Sequence, residues 1–360
     1  MVNYKKALFD AKDNRTREKE MKRIQEVINN YEGIYPPDNF PCPICLEDAP
    51  LWAHPDAAHP LVCCGQYIHL GCMQDAVDHG HFICPLCNGK IPLSDEEMVR
   101  HEAIAAERGF PWANLNQAIE MYDRDIRRQE QRSRITHIAN DDTRPYPPAM
   151  VKLGKIYEQE GDFGNAMKQY TRAAERGSGV GHQNLANIFL NGHVDEPSPN
   201  QALVHLTLAY VKMRLYDKGL ITAMGCYYDS PSLGNNSILS IMYLIEASEG
   251  GFEAANLPLA KTIVSVAQRR YGNDMFRPGM SSIPKAFFYA SKTMTNEATH
   301  FISEWSFRGR SRCSYCDKSS LPDKNFCRCS RCKAAWYCGR ECQTEAWKNG
   351  HREECFVMDT

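Results

Sequence analysis

Cysteine and histidine carry the chemistry of this sequence. Of its 16 cysteines, seven lie between Cys42 and Cys87, eight between Cys313 and Cys355, and Cys226 stands alone. The first group reads Cys42-x2-Cys45, adjacent Cys63-Cys64, His69-x2-Cys72 and Cys84-x2-Cys87. The second reads Cys313-x2-Cys316, Cys329-x2-Cys332, Cys338-x3-Cys342 and His351-x3-Cys355. A C-x2-C turn aims two thiolates at one point, and thiolates mixed with imidazoles suit tetrahedral Zn²⁺. Eight ligands per group are enough for two sites, so four zinc ions are expected, two in each module. Cys327 is a ninth candidate in the second group and reads as a spectator, because both sites there are complete without it.

Zinc is favoured over disulfides by context. The opening stretch is too charged to contain the apolar core of a signal peptide, and without secretion dense cysteine reads as metal binding. No uncharged apolar run approaches the roughly 18 residues of a membrane helix. The expectation is an intracellular chain, in cytoplasm or nucleus, with no membrane partner. With 42 basic against 44 acidic residues the net charge is −2, which offers no field for gripping nucleic acid. Arg124, Arg127, Arg128, Arg132 and Arg134 crowd one helical segment, but Asp123, Asp125 and Glu130 interrupt it, and it reads as a solvated face. Closed four-ligand sets leave no open position for water, and no H-E-x-x-H arrangement supplies a general base, so the zinc is read as structural.

The elements that hold these modules read as helices. At roughly 150 residues per domain, 360 residues suggest two to three domains. Residues 1–33 are charged, with a narrow stripe of Ile24, Val27, Ile28 and Tyr31 that packs on a neighbour, and Pro36-Pro37 ends the segment. Ser94-Asp95-Glu96-Glu97 is a capping box. From there to about residue 305 the pattern is helical, with an internal repeat. Ala105-Ala106-Glu107-Arg108-Gly109 recurs as Ala173-Ala174-Glu175-Arg176-Gly177 and more loosely as Ala247-Ser248-Glu249-Gly250-Gly251. A small residue follows four positions after each glycine: Ala113, Gly181 and Ala255. Extending the phase to Pro145 with Ala149, and to Gly219 with Ala223, gives spacings of 36, 32, 42 and 32. Such a period indicates stacked helical hairpins, each glycine ending one helix in a left-handed cap. Cys226, in an apolar helical context, reads as a small buried hydrophobe. The units starting near Ala149 and Gly181 resemble Sel-one-like repeats, relatives of the tetratricopeptide repeat, which implies a protein-binding surface.

The N-terminal module resembles a RING finger. The resemblance implies that Cys42, Cys45, His69 and Cys72 share one zinc, and Cys63, Cys64, Cys84 and Cys87 the other. It departs from the family at the second pair, usually Cys-x-His, where Gln66 occupies the histidine position. Either both adjacent cysteines bind, or Cys64 binds with an outside residue such as His54, His59, His79 or His81; the adjacent pair restores the count to eight. RING fingers recruit a ubiquitin-conjugating enzyme, and their contact positions are filled here by Ile44 and Pro85. Asn88 stands where the family places a basic hydrogen-bond donor, so the donor is uncharged here.

The C-terminal module resembles the MYND finger along its whole length. That resemblance implies Cys313, Cys316, Cys338 and Cys342 on one zinc, and Cys329, Cys332, His351 and Cys355 on the other. The i, i+4 spacing within Cys338/Cys342 and His351/Cys355 predicts that each pair projects from one face of a short helix. MYND fingers take short proline-rich peptides, and the groove positions correspond to Ser330, Gln343 and Trp347.

The expected architecture is therefore mainly α: a helical repeat solenoid flanked by two small cross-braced zinc domains. The boundaries are residues 1–38 for the N-terminal helix and linker, 39–93 for the RING-like finger, 94–309 for the repeats and 310–360 for the MYND-like finger. The expected function is a ubiquitin ligase without a nucleophile of its own, whose repeats and MYND finger recruit substrate or adaptor. The alternative is a non-enzymatic scaffold that binds protein through all three modules.

Overall fold

The computed structural model describes residues 2–31, 39–50, 58–92, 94–191, 198–213, 217–230, 233, 236–271, isolated positions between 286 and 304, 313–316, 318, 326–331, 335–352 and 355. The chain forms two compact units, Glu18–Leu220 and Ile221–Thr360, the latter together with Met1–Arg17.

Helix α1 spans Val2–Tyr31. Within the first unit its stripe is used inwardly: Ile24 and Val27 are buried. Arg23 donates to both carboxylate oxygens of Glu20 and to Thr207 Oγ1 at 2.9 Å. The N-terminal module follows as two short antiparallel hairpins and one helix. Strands β1 (Asn39–Pro41) and β2 (Asp48–Pro50) form one hairpin, and β3 (Ala58–Pro60) and β4 (Tyr67–His69) the other. Helix α2 (Leu70–Asp78) leaves β4 directly.

The repeats begin at α3 (Asp95–Glu107), where Ser94 Oγ accepts from the Glu97 amide at 3.2 Å. The reciprocal half of the capping box is replaced: the Glu97 carboxylate pairs with Lys90 at 2.9 Å and ties the module's end to α3. Helices α4 (Pro111–Asp123), α5 (Arg128–Ala139), α6 (Pro147–Gln159), α7 (Phe163–Glu175), α8 (Gly179–Asn191) and α9 (Pro199–Met213) continue the first unit. Helix α10 (Lys218–Asp229) spans the boundary, and α11 (Ser237–Glu249) and α12 (Asn256–Tyr271) belong to the second unit.

Local chemistry sets these boundaries. Proline opens α4 and α6, where its missing N–H costs nothing. Asp162, Ser178, Asp217 and Asn236 each accept a backbone N–H three residues on, at the starts of α7, α8, α10 and α11. Gly109, Gly177 and Gly251 all have left-handed backbones, as the repeat predicts. Gly219 departs from that phase: it lies inside the first turn of α10, because Asp217 has already capped the helix two residues earlier.

The core of the first unit runs through α4 to α8, with Ile135, Met150, Leu153, Ile156, Tyr170, Leu185 and Ile188 almost wholly buried. Each such aliphatic side chain contributes roughly 1.5–3 kcal/mol. Small residues set the helix spacing. A Cβ on Gly154 would fall 2.4 Å from the Tyr170 ring, and one on Gly181 would fall 2.9 Å from the Ala174 backbone nitrogen. The buried Tyr170 hydroxyl donates to Glu158 at 2.8 Å, which satisfies its one polar atom.

The crowded arginines are absorbed by neighbours. Arg124, Arg127, Arg128 and Arg132 pair with Glu120, Glu130, Asp125 and Glu160, and Arg134 donates to Gln131. They form the solvated, charge-compensated face expected of the sequence.

Candidate metal centres

In the N-terminal module three tight turns carry the ligands. At Cys42–Leu46 the Leu46 amide returns to the Cys42 carbonyl at 2.8 Å, and at Cys84–Asn88 the Asn88 amide returns to the Cys84 carbonyl at 3.0 Å. Both turns close on a left-handed residue, Leu46 and Asn88. The third turn, Leu61–Gly65, closes with the Gly65 amide on the Leu61 carbonyl at 2.6 Å, and Gly65 is left-handed as well. Helix α2 presents Cys72 three residues after His69.

These turns gather two sets of four ligand atoms, each set lying within 4.8 Å: Cys42, Cys45, His69 and Cys72, and Cys63, Cys64, Cys84 and Cys87. The ligand pairs are interleaved, first with third and second with fourth. Adjacent Cys63 and Cys64 both reach the second set. His59, His79 and His81 are in neither set, and His54 lies outside the described residues. Gly89 makes room for this, since a Cβ there would fall 2.9 Å from Cys63 Cβ.

The C-terminal module is built on the same principle. Its hairpin pairs β5 (Cys327–Arg328) with β6 (Trp336–Tyr337), and Tyr337 is buried beneath it. Cys313, Cys316, Cys338 and Cys342 form one set, and Cys329, His351 and Cys355 form another. Cys332 lies outside the described residues. Cys327 is exposed and belongs to neither set, and Cys226 on α10, expected to be a buried hydrophobe, is exposed as well.

The helical placement of the ligand pairs differs from the spacing argument. Helix α13 spans Arg340–Ala346, so Cys342 is helical, whereas Cys338 precedes it. Gly339 between them is fully extended, and the two sulfurs still come within 3.5 Å. A π-helical turn, Trp347–His351, carries His351, and Cys355 lies beyond it in non-helical chain.

Zinc fits all four sets. A tetrahedral ion about 2.3 Å from each sulfur holds sulfurs about 3.8 Å apart. The observed separations are 3.9 Å for Cys64–Cys84, 3.6 Å for Cys316–Cys338 and 3.8 Å for Cys329–Cys355. His69 Nδ1 is 3.3 Å from Cys45 Sγ, and His351 Nε2 is 3.4 Å from Cys329 Sγ. Every described cysteine is a free thiol.

The electrostatics explain why a cation is needed. Burial opposes the thiolate of Cys42, but the backbone N–H groups of Cys45, His69 and Ile44 outweigh it and bring the thiol down to about 6. Cys313 is treated alike: burial is outweighed by backbone donors at Cys316, Cys338 and Tyr315, and the thiol falls to about 7. Their neighbours move the other way. Burial, then hydrogen bonds from Cys45 and Cys42, pushes Cys72 up to about 12, and burial with Cys87 and Cys84 pushes Cys63 higher still. In the Cys42 and Cys313 sets one thiol is thus favoured as thiolate over its neighbours; a divalent ion is what allows the remaining thiols to ionise together.

The other residues singled out by sequence are exposed or half-buried. Ile44, Pro85, Asn88 and Ser330 are exposed, and Gln343 and Trp347 are half-buried. The Trp347 ring lies edge-on to His351, with centroids 5.9 Å apart, so the tryptophan also helps to seat a ligand.

Residues 313–355 match the MYND finger family. A SET and MYND domain-containing protein of Dictyostelium discoideum is 43% identical over 51 residues, 13% of this chain and 9% of that protein. A histone-lysine N-methyltransferase of Arabidopsis thaliana is 47% identical over 48 residues, 13% of this chain and 9% of its own. Ubiquitin carboxyl-terminal hydrolase 19 of the same plant is 44% identical over 43 residues, 12% and 6%. The chain thus spans less than a tenth of the length of each of these relatives. Among solved structures, a Sel1 repeat protein from Oxalobacter formigenes aligns with a TM-score of 0.42 and 18% identity, covering 64% of this chain and 85% of that one. A protective antigen of uropathogenic Escherichia coli with an SLR fold aligns at 0.43 and 16%, covering 59% and 42%. The MYND finger and the helical repeats suggest a protein-interaction role.

Proposed function

We propose that the chain is a RING-type ubiquitin ligase whose repeats and MYND finger hold substrate or adaptor. The observation that carries this reading is the interleaving of the two N-terminal ligand sets, together with what surrounds the first and last turns. Ile44, Leu46, Ile83 and Leu86 are large apolar residues left exposed on a module with almost no core of its own. An apolar surface built on metal-locked turns suits docking of a conjugating enzyme. The ligase then works by positioning the charged enzyme, with no covalent intermediate on this chain.

Asn88 favours a second reading, a scaffold without ligase activity. Its left-handed backbone suits asparagine, but the amide brings no positive charge to the transfer step. For the MYND finger we propose a proline-rich peptide partner that meets Ser330, Gln343 and Trp347, with the indole as platform for proline rings.

Autoubiquitination of the zinc-replete protein across a panel of conjugating enzymes tests the reading. Chain formation lost in Ile44→Ala, with zinc content unchanged, is the expected result. Silence in the native chain and in Asn88→Arg alike would leave the scaffold.

A further inference from the structure

A cavity of about 710 Å³ lies between the N-terminal module and the repeats, wholly inside the first unit. Its size falls in the range of sites that take drug-sized ligands or short peptides. One wall is the module: β3 and the turn after it contribute six consecutive residues, 58–63, and α2 contributes Met73 and Val77. The other wall is helical, with Trp112 and Ile119 from α4 and Val151 from α6. The lining is mainly apolar, and a few polar groups stand at defined places in it.

Three of those observations indicate what would occupy it. First, β3 is an edge strand, paired with β4 on one side only among the described residues. The Leu61 amide donates to the Gln66 carbonyl across the hairpin, so by alternation Ala58 and Pro60 turn their backbone groups away from β4. Pro60 has no N–H, which blunts indiscriminate pairing while leaving carbonyls for an extended chain to donate to. Second, Lys152 and Lys155 line the α6 side one turn apart. Lys152 is held by Asp123 at 2.9 Å, whereas Lys155 is exposed and makes no ion pair among the described residues. Third, Trp112 is 6% exposed, and its indole N–H is buried without a hydrogen-bond partner. That N–H meets no water-sized space, so what Trp112 offers the cavity is the apolar surface of its ring. Glu102, on the α3 side, carries the opposite charge and gives the cavity a polarity.

We infer that this cavity binds a short extended peptide that carries apolar side chains and a carboxylate, the carboxylate directed to Lys155 on α6. The edge of β3 accounts for the extended backbone, the apolar walls for the side chains, and the lysine for the acidic group. The inference does not depend on ligase activity, because it concerns binding alone.

The test uses the full zinc-loaded chain and an array of hexapeptides without proline, which sets aside the MYND finger's own ligands. Enrichment of peptides combining Leu, Ile, Met or Phe with Asp or Glu is expected. Lys155→Glu, an exposed position, should weaken the enriched peptides about tenfold, and Val77→Trp, which fills the cavity from the half-buried face of α2, should abolish binding. The apolar anion 8-anilinonaphthalene-1-sulfonate, displaced by those peptides from the native chain but not bound by Val77→Trp, gives an independent readout. Circular dichroism and zinc content confirm that each variant is folded. No enrichment, or binding that survives both substitutions, overturns the inference.

Discussion

Gly65, the left-handed residue that follows the ligand Cys64, lies directly against the ring of Phe110 at the start of α4. A Cβ at Gly65 would fall 2.3 Å from a ring carbon. The contact belongs to a seam in which Val62 and Phe110 pack on buried Trp112 and Ala105, and Arg108 donates to the Cys63 carbonyl at 3.3 Å. The second metal set is thereby seated on the repeats, so the N-terminal module cannot swivel freely on a linker.

Gly65→Ala should therefore be costly twice over, through left-handed strain of about 1 kcal/mol and overpacking of about 1–3 kcal/mol. A fall in stability of roughly 2–4 kcal/mol by denaturant titration is expected. Adding Phe110→Ala should return part of that loss, because the two sites are in contact. Strict additivity of the pair would contradict the seam.

Metal content should follow the four ligand sets. The purified chain is expected to hold four zinc ions by elemental analysis, and Cys84→Ser or Cys313→Ser to lower the count by one each. Cys332→Ser should do the same, which tests the sequence assignment at a position outside the described residues. Cys327→Ser should leave the count at four, since Cys327 belongs to neither set. Chelation should unfold both fingers while the repeats keep their helical signal, because the core of α4 to α8 contains no ligand.

Acid should weaken the repeats themselves. His182 on α8 and His205 on α9 face each other with their Nδ1 atoms 3.0 Å apart. Burial pushes His205 down to about 4. Burial first, then the charges of His205 and Lys212, pushes His182 well below its ordinary range. Both folded values lie below the unfolded value of about 6.5, so below that pH the unfolded chain takes up protons that the native chain refuses. The stabilising contribution is complete above pH 6.5 and declines as pH falls toward 4, by up to about 1.4 kcal/mol per unit for each histidine. Denaturation between pH 7 and 5, with zinc in excess, should show this slope, and His205→Gln should reduce it. An unchanged slope in the variant would contradict the assignment.

Much of this organisation was legible in the sequence because its causes are local. A C-x2-C spacing obliges a tight turn, and Ala105–Gly109 against Ala173–Gly177 marks the same helix end twice. Where a second local signal competed, the reading shifted. Asp217 caps α10 before Gly219 can end anything, and extended Gly339 places Cys338 outside α13. The long-range features gave no such signal. Glu97 turns from its own cap to Lys90, Gly65 meets Phe110 across 45 positions of chain, and the cavity has walls from β3, α2, α4 and α6. Such contacts depend on which faces meet, and the apolar pattern of one element does not name its neighbour. The π-helical turn at Trp347 was equally hidden, since its residues also suit an ordinary helix.

The most direct test of the ligase account is single-turnover release of ubiquitin from a preloaded conjugating enzyme. The zinc-replete native chain should accelerate release at least tenfold over the enzyme alone, and Ile44→Ala, still holding four zinc ions, should bring the rate back to background. Equal rates with and without the native chain, across conjugating enzymes shown to be active with another ligase, would contradict it and leave a protein-binding scaffold.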